Sequence, residues 1–175
     1  PVQRRLLGLL TAPEERLGHA AAPEMTLAEN TLLTGFQRQK LGRRGFLNKS
    51  GAIAFAEKIV QKFDVRTPSV RNGAKSLSGG NLQKFVIGRE ILQSPRVFVV
   101  NQPTWGVDAA AAAFIRQALL ELAEGGAGVL VISQDLDELM EISDSFMVLS
   151  EGKVSKPRPA KGITGLLYTS DAPDK

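Results

Sequence analysis

After residue 75, short apolar runs and amphipathic segments take turns along the chain, and this alternation restricts the possible folds more than any other feature. A helix is predicted from about Asn81 to Leu92, ahead of the apolar run Val97–Phe98–Val99–Val100. Asp108 is placed to cap a further helix with Ile115, Ala118, Leu119 and Leu122 on one face, broken at Gly125–Gly126. Gly128 to Ser133 reads as the next strand and Asp135 to Ile142 as a short helix. Phe146 to Leu149 reads as a strand running into a Glu151–Gly152 turn. Parallel strands need a crossover between them, so this order predicts a parallel sheet covered by helices. The fold class is α/β.

The earlier part reads differently. Leu6 to Leu10 is a short apolar run predicted as a buried strand, closed by Pro13. Thr26 to Leu41 reads as a helix, with Thr26 as N-cap, Glu29 in capping-box position, and Leu27, Leu32 and Leu33 as apolar surface. Gly35 weakens that helix, and the basic turn Gly42, Arg43, Arg44, Gly45 ends it. Ser50 is expected to cap a second helix, in which Ile53, Ala56, Ile59, Val60 and Phe63 recur at three- and four-residue spacing. The tail, with Pro157, Pro159 and Pro173, has weak periodicity and carries no assignment.

Composition narrows the chemistry. A length of 175 residues suits one domain with a real core, and 43% hydrophobic residues exclude general disorder. No apolar run approaches the roughly 18 residues a membrane helix needs, and no N-terminal segment has signal-peptide anatomy. The absence of cysteine excludes a disulfide framework and a thiolate metal site; a single histidine, His19, excludes a His-based cluster, and no metal site is expected. The formal net charge is +4, with acids and bases interspersed. That pattern reads as a solvated surface, so no nucleic-acid partner is expected.

The most specific segment is Leu77–Ser78–Gly79–Gly80–Asn81–Leu82–Gln83. Two glycines before a helix let a ligand approach the backbone, the helix N-terminus favours an anion, and Ser78 adds a hydroxyl donor. By itself the same tripeptide could be a linker that only caps a helix. It is followed by a buried strand ending in Asn101–Gln102–Pro103–Thr104, then Trp105–Gly106–Val107–Asp108, and later Ser133–Gln134–Asp135.

In this order and spacing the chain resembles the nucleotide-binding domain of ATP-binding cassette (ABC) transporters. Leu77 to Gln83 resembles the family signature, Val97 to Gln102 the Walker B strand, and Gly106 to Asp108 the D-loop. Gln134 takes the place of the switch histidine. Pro13–Glu14–Glu15–Arg16–Leu17–Gly18–His19, then Met25 to Asn30, is similar to the second cassette of the two-cassette ATPases that serve simple-sugar and nucleoside importers. The likeness covers about residues 13 to 154. It implies a partial P-loop NTPase core with a parallel sheet and helices, plus a helical subdomain. The implied divisions are 1–23 (core strand and loop), 24–76 (helical subdomain), 77–156 (signature helix and later half of the core) and 157–175 (unassigned tail).

The family's pattern is incomplete here. No Gly-x-x-x-x-Gly-Lys-[Ser/Thr] occurs in the chain, and the phosphate loop would precede the Leu6 strand. The chain is therefore expected to be a fragment, inactive alone. Asn101 stands where an active cassette has a metal-organising Asp, Gln102 where it has the water-polarising Glu, and Gln134 where it has the histidine. None of the three can act as a general base or bring charge to Mg²⁺. A Gln can still orient water, as in some GTPases.

In the family two cassettes stack head to tail, with each ATP between the core of one and the signature of the other. The resemblance thus implies ATP and Mg²⁺ in an assembled pair, held partly by Leu77, Ser78, Gly79, Gly80 and Asn81 toward a companion cassette. Asn101 and the degenerate catalytic positions Gln102 and Gln134 would belong to a feeble site of the chain's own. Asp108 would serve in the D-loop, as a helix cap, or both. Trp105 reads as a packed aromatic or a neighbour of nucleotide, and Arg43 and Arg44 as a solvated turn. The implied partners are a companion cassette and transmembrane permease subunits. The implied location is peripheral, on the cytoplasmic face of the inner membrane. A soluble ABC-type ATPase of translation or DNA repair, or a non-catalytic regulatory module, is the alternative.

Overall fold

The computed structural model describes residues 2–43 and 45–160, which fall into two units divided after Ile132. The first unit opens with α1 (Val2–Leu6), β1 (Leu9–Ala12), α2 (Leu27–Asn30) and α3 (Leu32–Gly35). A small hairpin of β2 (Gly42–Arg43) and β3 (Phe46–Leu47) precedes α4 (Lys49–Lys62). After a 3-10 turn at Ala74–Ser76 come α5 (Gly79–Ile91), β4 (Val97–Asn101), α6 (Ala109–Glu124) and β5 (Gly128–Ile132).

The expected parallel sheet is present, in the order β1-β4-β5 with β4 central. Leu10 lies opposite Phe98, and Phe98 opposite Val129. Side chains alternate across a strand. Leu10, Ala12, Phe98 and Val100 are therefore buried on one face, where α5 packs against β1 and α6 against β5. On the other face Val97, Leu130 and Ile132 are 44%, 45% and 49% exposed. Parallel sheets are ordinarily covered on both faces, and among the described residues this second face is open.

The first strand starts later than its apolar run suggested. Leu6 ends α1, Leu6 and Leu7 are exposed, and Gly8 turns the chain into β1 with φ +102. A Cβ there would stand 3.0 Å from the backbone nitrogen of Arg96, so the turn needs both the left-handed conformation and the missing side chain.

The helix expected from Thr26 to Leu41 is instead two short pieces that end at Gly35. Its start is as anticipated. Thr26 Oγ1 accepts from the Glu29 amide at 3.1 Å, and Glu29 Oε2 accepts from the Thr26 amide at 2.8 Å. The break follows from Thr31, whose amide is shared between the Leu27 and Ala28 carbonyls and whose hydroxyl donates to Ala28 at 2.7 Å. Such back-bonding competes with the regular ladder. The capping bonds hold the Glu29 carboxyl below its ordinary pKa. A depressed folded value contributes stability above the unfolded pKa of about 4.3 that is lost as pH falls through the folded one. Glu29→Gln is thus expected to flatten the acid limb of the stability profile below about pH 4.3. Overlapping acid limbs in parallel urea titrations would contradict it.

The next helix is capped by Asn48, not Ser50. Asn48 Oδ1 accepts from the Gly51 amide at 2.9 Å, while the Ser50 hydroxyl donates to the same oxygen at 3.0 Å. The asparagine reaches the amide three residues on, as an N-cap must. Ala52, Phe55, Ala56 and Ile59 form the buried face of α4, and Phe63 follows it into the core. Phe63 meets Phe114 of α6 edge to face, with centroids 5.8 Å apart. A Cβ on Gly88 would lie 2.6 Å from the Phe63 ring, so this glycine lets α5 accept it.

A polar cluster sits inside the same core. Arg89 is 1% and Glu90 0% exposed, and they pair at 2.8 Å. Arg89 also donates to the carbonyls of Asn30 at 3.0 Å and Ala20 at 2.9 Å. Thr34 donates to Glu90 Oε1 at 2.7 Å, and Gln93 to Glu90 Oε2 at 3.2 Å. Buried charges persist only when paired and hydrogen-bonded in this way. The cluster fastens α5 to the 13–35 segment.

The second unit holds α7 (Leu136–Ile142), capped by Asp135, and four two-residue strands. These are β6 (Ser145–Phe146), β7 (Leu149–Ser150), β8 (Lys153–Val154) and β9 (Arg158–Pro159). The single strand expected from Phe146 to Leu149 is therefore split. β6 pairs with β9, whereas β7 pairs with β8 through a Glu151–Gly152 turn with φ 48 and 75. Two positive φ values are what a tight type I′ hairpin requires. Residues 161–175, most of the unassigned tail, and Arg44 lie outside the described residues. Among the described residues no helix is long and apolar enough to cross a membrane.

Candidate functional site

The signature-like residues form the first turn of α5, which begins at Gly79 rather than at Asn81 as expected. Ser78 occupies the N-cap position but makes no side-chain cap bond. Its Oγ instead accepts from Asn81 Nδ2 at 2.9 Å, which leaves the hydroxyl proton as a donor. Asn81 Oδ1 accepts from the Arg66 amide at 2.8 Å and so anchors the turn to the segment after α4. The amides of Gly79, Gly80 and Asn81 precede the first intrahelical bond, which runs from Leu82 to the Ser78 carbonyl. Ser78 and Gly79 are exposed, Leu77, Gly80 and Asn81 half-buried. An uncapped N-terminus of a 13-residue helix thus faces outward with a serine hydroxyl beside it. That is the chemistry of an anion site.

The Walker B-like strand brings its polar end close to this turn. Asn101 is half-buried and donates to Glu14 Oε2 at 3.4 Å. Gln102 is 8% exposed and takes φ 50, a left-handed conformation in a buried non-glycine residue. Its amide extends the ladder to the Ile132 carbonyl at 2.7 Å, after which the chain turns away from the sheet. Gln83 of α5, 1% exposed, donates to the Pro103 carbonyl at 2.8 Å. Asp108 accepts from the Ala111 amide at 2.8 Å and caps α6, as expected. A Cβ on Gly80 would lie 3.4 Å from Asp108 Oδ2, so the first turn of α5 and the cap of α6 nearly touch. Trp105 is 63% exposed, which corrects the expectation of a packed aromatic.

Beside that contact is a cleft of about 350 Å³ lined by Asp64, Arg66, Asn81, Lys84, Asp108 and Phe114. Lys84 is held there by the Asp64 backbone carbonyl, by Asp64 Oδ2 at 3.3 Å, and by the Phe114 ring, 5.6 Å from its ammonium. The structure therefore brings the turn Leu77 to Asn81 against Asp108, while Asn101 and Gln102 stand at the start of the segment that meets it. Gln134 belongs to the second unit, exposed in the turn before α7. There Ser133 donates to Glu138 at 2.8 Å and Asp135 caps the helix. Among the described residues no group of three His, Cys, Asp or Glu side chains could hold a metal ion. His19 is exposed and pairs with Glu15 at 2.8 Å.

Residue-by-residue reasoning did not single out Glu14 and Arg16. Arg16 donates from Nη2 to the Trp105 carbonyl, and its guanidinium lies against Gly79 and Gly106. No periodicity or motif spacing carries that signal, because the contact spans 89 residues.

This sheet, with an open signature turn beside the end of its central strand, has the fold of an ATP-binding cassette. The chain superposes on the dimeric post-hydrolysis structure of the ATP-binding cassette MJ0796 bound to ADP and Pi with a TM-score of 0.73. That match has 20% identity and covers 93% of this chain and 67% of that one. By sequence the chain is 38% identical over 162 residues to the ribose import ATP-binding protein RbsA 1 of Rubrobacter xylanophilus, covering 93% of this chain and 32% of that protein. It is 35% identical over 147 residues to the guanosine import ATP-binding protein NupO of Bacillus subtilis, covering 84% and 29%. It is 39% identical over 149 residues to the glucose import ATP-binding protein TsgD13 of Haloferax volcanii, covering 84% and 27%. No family model matches the chain. The chain is a partial ATP-binding cassette, homologous to the ATP-binding proteins of sugar and nucleoside importers, and spans about a third of their length.

Proposed function

We propose that the chain is part of the ATP-binding subunit of an importer for simple sugars or nucleosides, and that it lends its signature turn to an ATP site completed by a companion cassette. The observation that carries this reading is the open N-terminus of α5, in a chain whose β4 ends in the neutral pair Asn101–Gln102. Three unbonded amides and the Ser78 hydroxyl suit the terminal phosphate of ATP. The residues at the end of β4 do not suit Mg²⁺, which prefers carboxylate oxygens and water. Asn101 turns its amide donor toward Glu14, and Gln102 carries no charge. Mg²⁺ would therefore be held on the companion's side. Asp108, at the cap of α6 beside Gly80, would stand at the border between cassettes.

The apolar sheet face of Val97, Leu130 and Ile132 is consistent with a cassette whose phosphate-loop strand and helix cover it. The 24–76 segment would meet the permease, and the assembly would sit peripherally on the cytoplasmic face of the inner membrane. ATP binding would close the pair of cassettes and move the permease. Gln102→Ala tests the division of labour between the sites. A positioned general base is worth ~10²–10⁴-fold in rate, so in the assembled ATPase this substitution is expected to lower kcat by less than about threefold. A loss of about 10²-fold or more would place Gln102 in the hydrolytic machinery and overturn the reading.

A further inference from the structure

The turn between β4 and α6 is held from two directions, and one holder lies outside the signature, Walker B, D-loop and switch positions. Gln83 grips the Pro103 carbonyl from α5, while Arg16 donates to the Trp105 carbonyl from the loop after β1. The guanidinium lies in a slot left by two glycines. A Cβ on Gly79 would stand 2.8 Å from Nη1, and one on Gly106 would stand 3.2 Å from Nη2. A Cβ on Gly79 would also be 3.5 Å from the Gly106 carbonyl oxygen, so the turn and the first turn of α5 meet at this slot. The turn's own hydrogen bonds are long: 3.2 Å from the Trp105 amide to Gln102 and 3.4 Å from the Val107 amide to Thr104. Donors from outside the turn add to these bonds.

The loop that carries Arg16 is itself well anchored. Its carbonyl accepts from the Ala21 amide at 2.7 Å, and the Ala20 carbonyl accepts from buried Arg89 of α5 at 2.9 Å. Ala20 and Ala21 are 3% and 1% exposed. Glu14, two residues before Arg16, accepts from Asn101 Nδ2 at 3.4 Å. One strap thus touches the end of β4, the turn after it and the first turn of α5.

We propose that Arg16 is a positioning residue, which seats the 103–107 turn against the first turn of α5 so that Ser78, Gly79 and Asp108 present one rigid surface to a companion cassette. A planar guanidinium with several donors fits a slot between two backbones better than a point charge does. The proposal rests on the reading of the chain as the signature-bearing side of a composite site. Its test combines hydrogen exchange and ATPase kinetics on the assembled protein, for the parent, Arg16→Ala, Arg16→Lys and Ser78→Arg.

In Arg16→Ala the amides of 104–108 are expected to exchange about tenfold faster, while those of the β4–β5 core keep their protection. The value of kcat should fall about tenfold with KM changed by less than about threefold, since the companion's own phosphate loop supplies most nucleotide binding. Arg16→Lys keeps a donor for the Trp105 carbonyl and should recover part of both. Unchanged exchange at 104–108 in both Arg16 variants overturns the proposal, whatever the ATPase rate. Faster exchange with full activity in Arg16→Ala and lost activity in Ser78→Arg also overturns it. Full activity in both Arg16→Ala and Ser78→Arg instead overturns the composite-site reading beneath it.

Discussion

Ser78→Arg in the assembled ATPase is expected to lower kcat by about 10²–10³-fold, the loss typical when preorganised donors to developing charge are removed. Ser78 is exposed, so the substitution leaves the core of α5 intact and the circular dichroism of the parent should be preserved. What changes is the approach to the helix N-terminus. The long side chain would cover the Gly79 and Gly80 amides and delete the hydroxyl proton that the Asn81 bond leaves free. The carbonyl of Ser78 still accepts from Leu82, so the helix itself persists. Steady-state ATP hydrolysis checks the prediction. Undiminished turnover would mean that the signature turn no longer meets nucleotide, which is the regulatory alternative.

Arg89→Ala should have the largest effect on stability, about 3–5 kcal/mol, because it removes the hydrogen-bonded cation of the buried Glu90 carboxylate and leaves only Arg5 Nη1, 3.9 Å away. Glu90 would retain Thr34 and Gln93 as donors and the Arg5 guanidinium at 3.9 Å, but at 0% exposure these do not replace a guanidinium bonded at 2.8 Å. The loss also frees the carbonyls of Asn30 and Ala20, so the 13–35 segment should loosen together with α5. Replacing Arg89 and Glu90 together by apolar residues of similar volume should restore part of the loss, since no buried carboxylate is then left short of its cation. Urea unfolding of the three variants measures both effects. A single-variant loss below about 1 kcal/mol would contradict the account.

The sequence alone carried the parallel sheet and the position of the signature turn because both rest on local patterns. Apolar runs of four or five residues separated by capped amphipathic helices have few other solutions. Capping was legible at Thr26 and Asp108, where the side chain and the amide it serves lie three residues apart. It failed at Asn48, where Ser50 competed for the same turn and the choice depended on which oxygen reached the Gly51 amide.

The helix from Thr26 was read too long because Asn30 and Thr31 give their side chains to backbone carbonyls, a choice that the apolar spacing does not record. Of the two readings of Trp105, the packed aromatic fails because the turn that carries it is held through its carbonyl while the ring stays 63% exposed. The Arg16 strap was illegible for a different reason. It joins residues 89 apart through a side chain that no spacing rule marks.

A sequence with a whole signature and neutral residues at Asn101, Gln102 and Gln134 amounts to one proposal: a pair of cassettes in which one ATP site works. Counting ADP trapped with vanadate in the assembled transporter tests that claim most directly, because trapping requires turnover. The account predicts one ADP per pair of cassettes, abolished by Ser78→Arg and retained in Gln102→Ala. Two trapped ADP per pair, or one that survives Ser78→Arg, would contradict it.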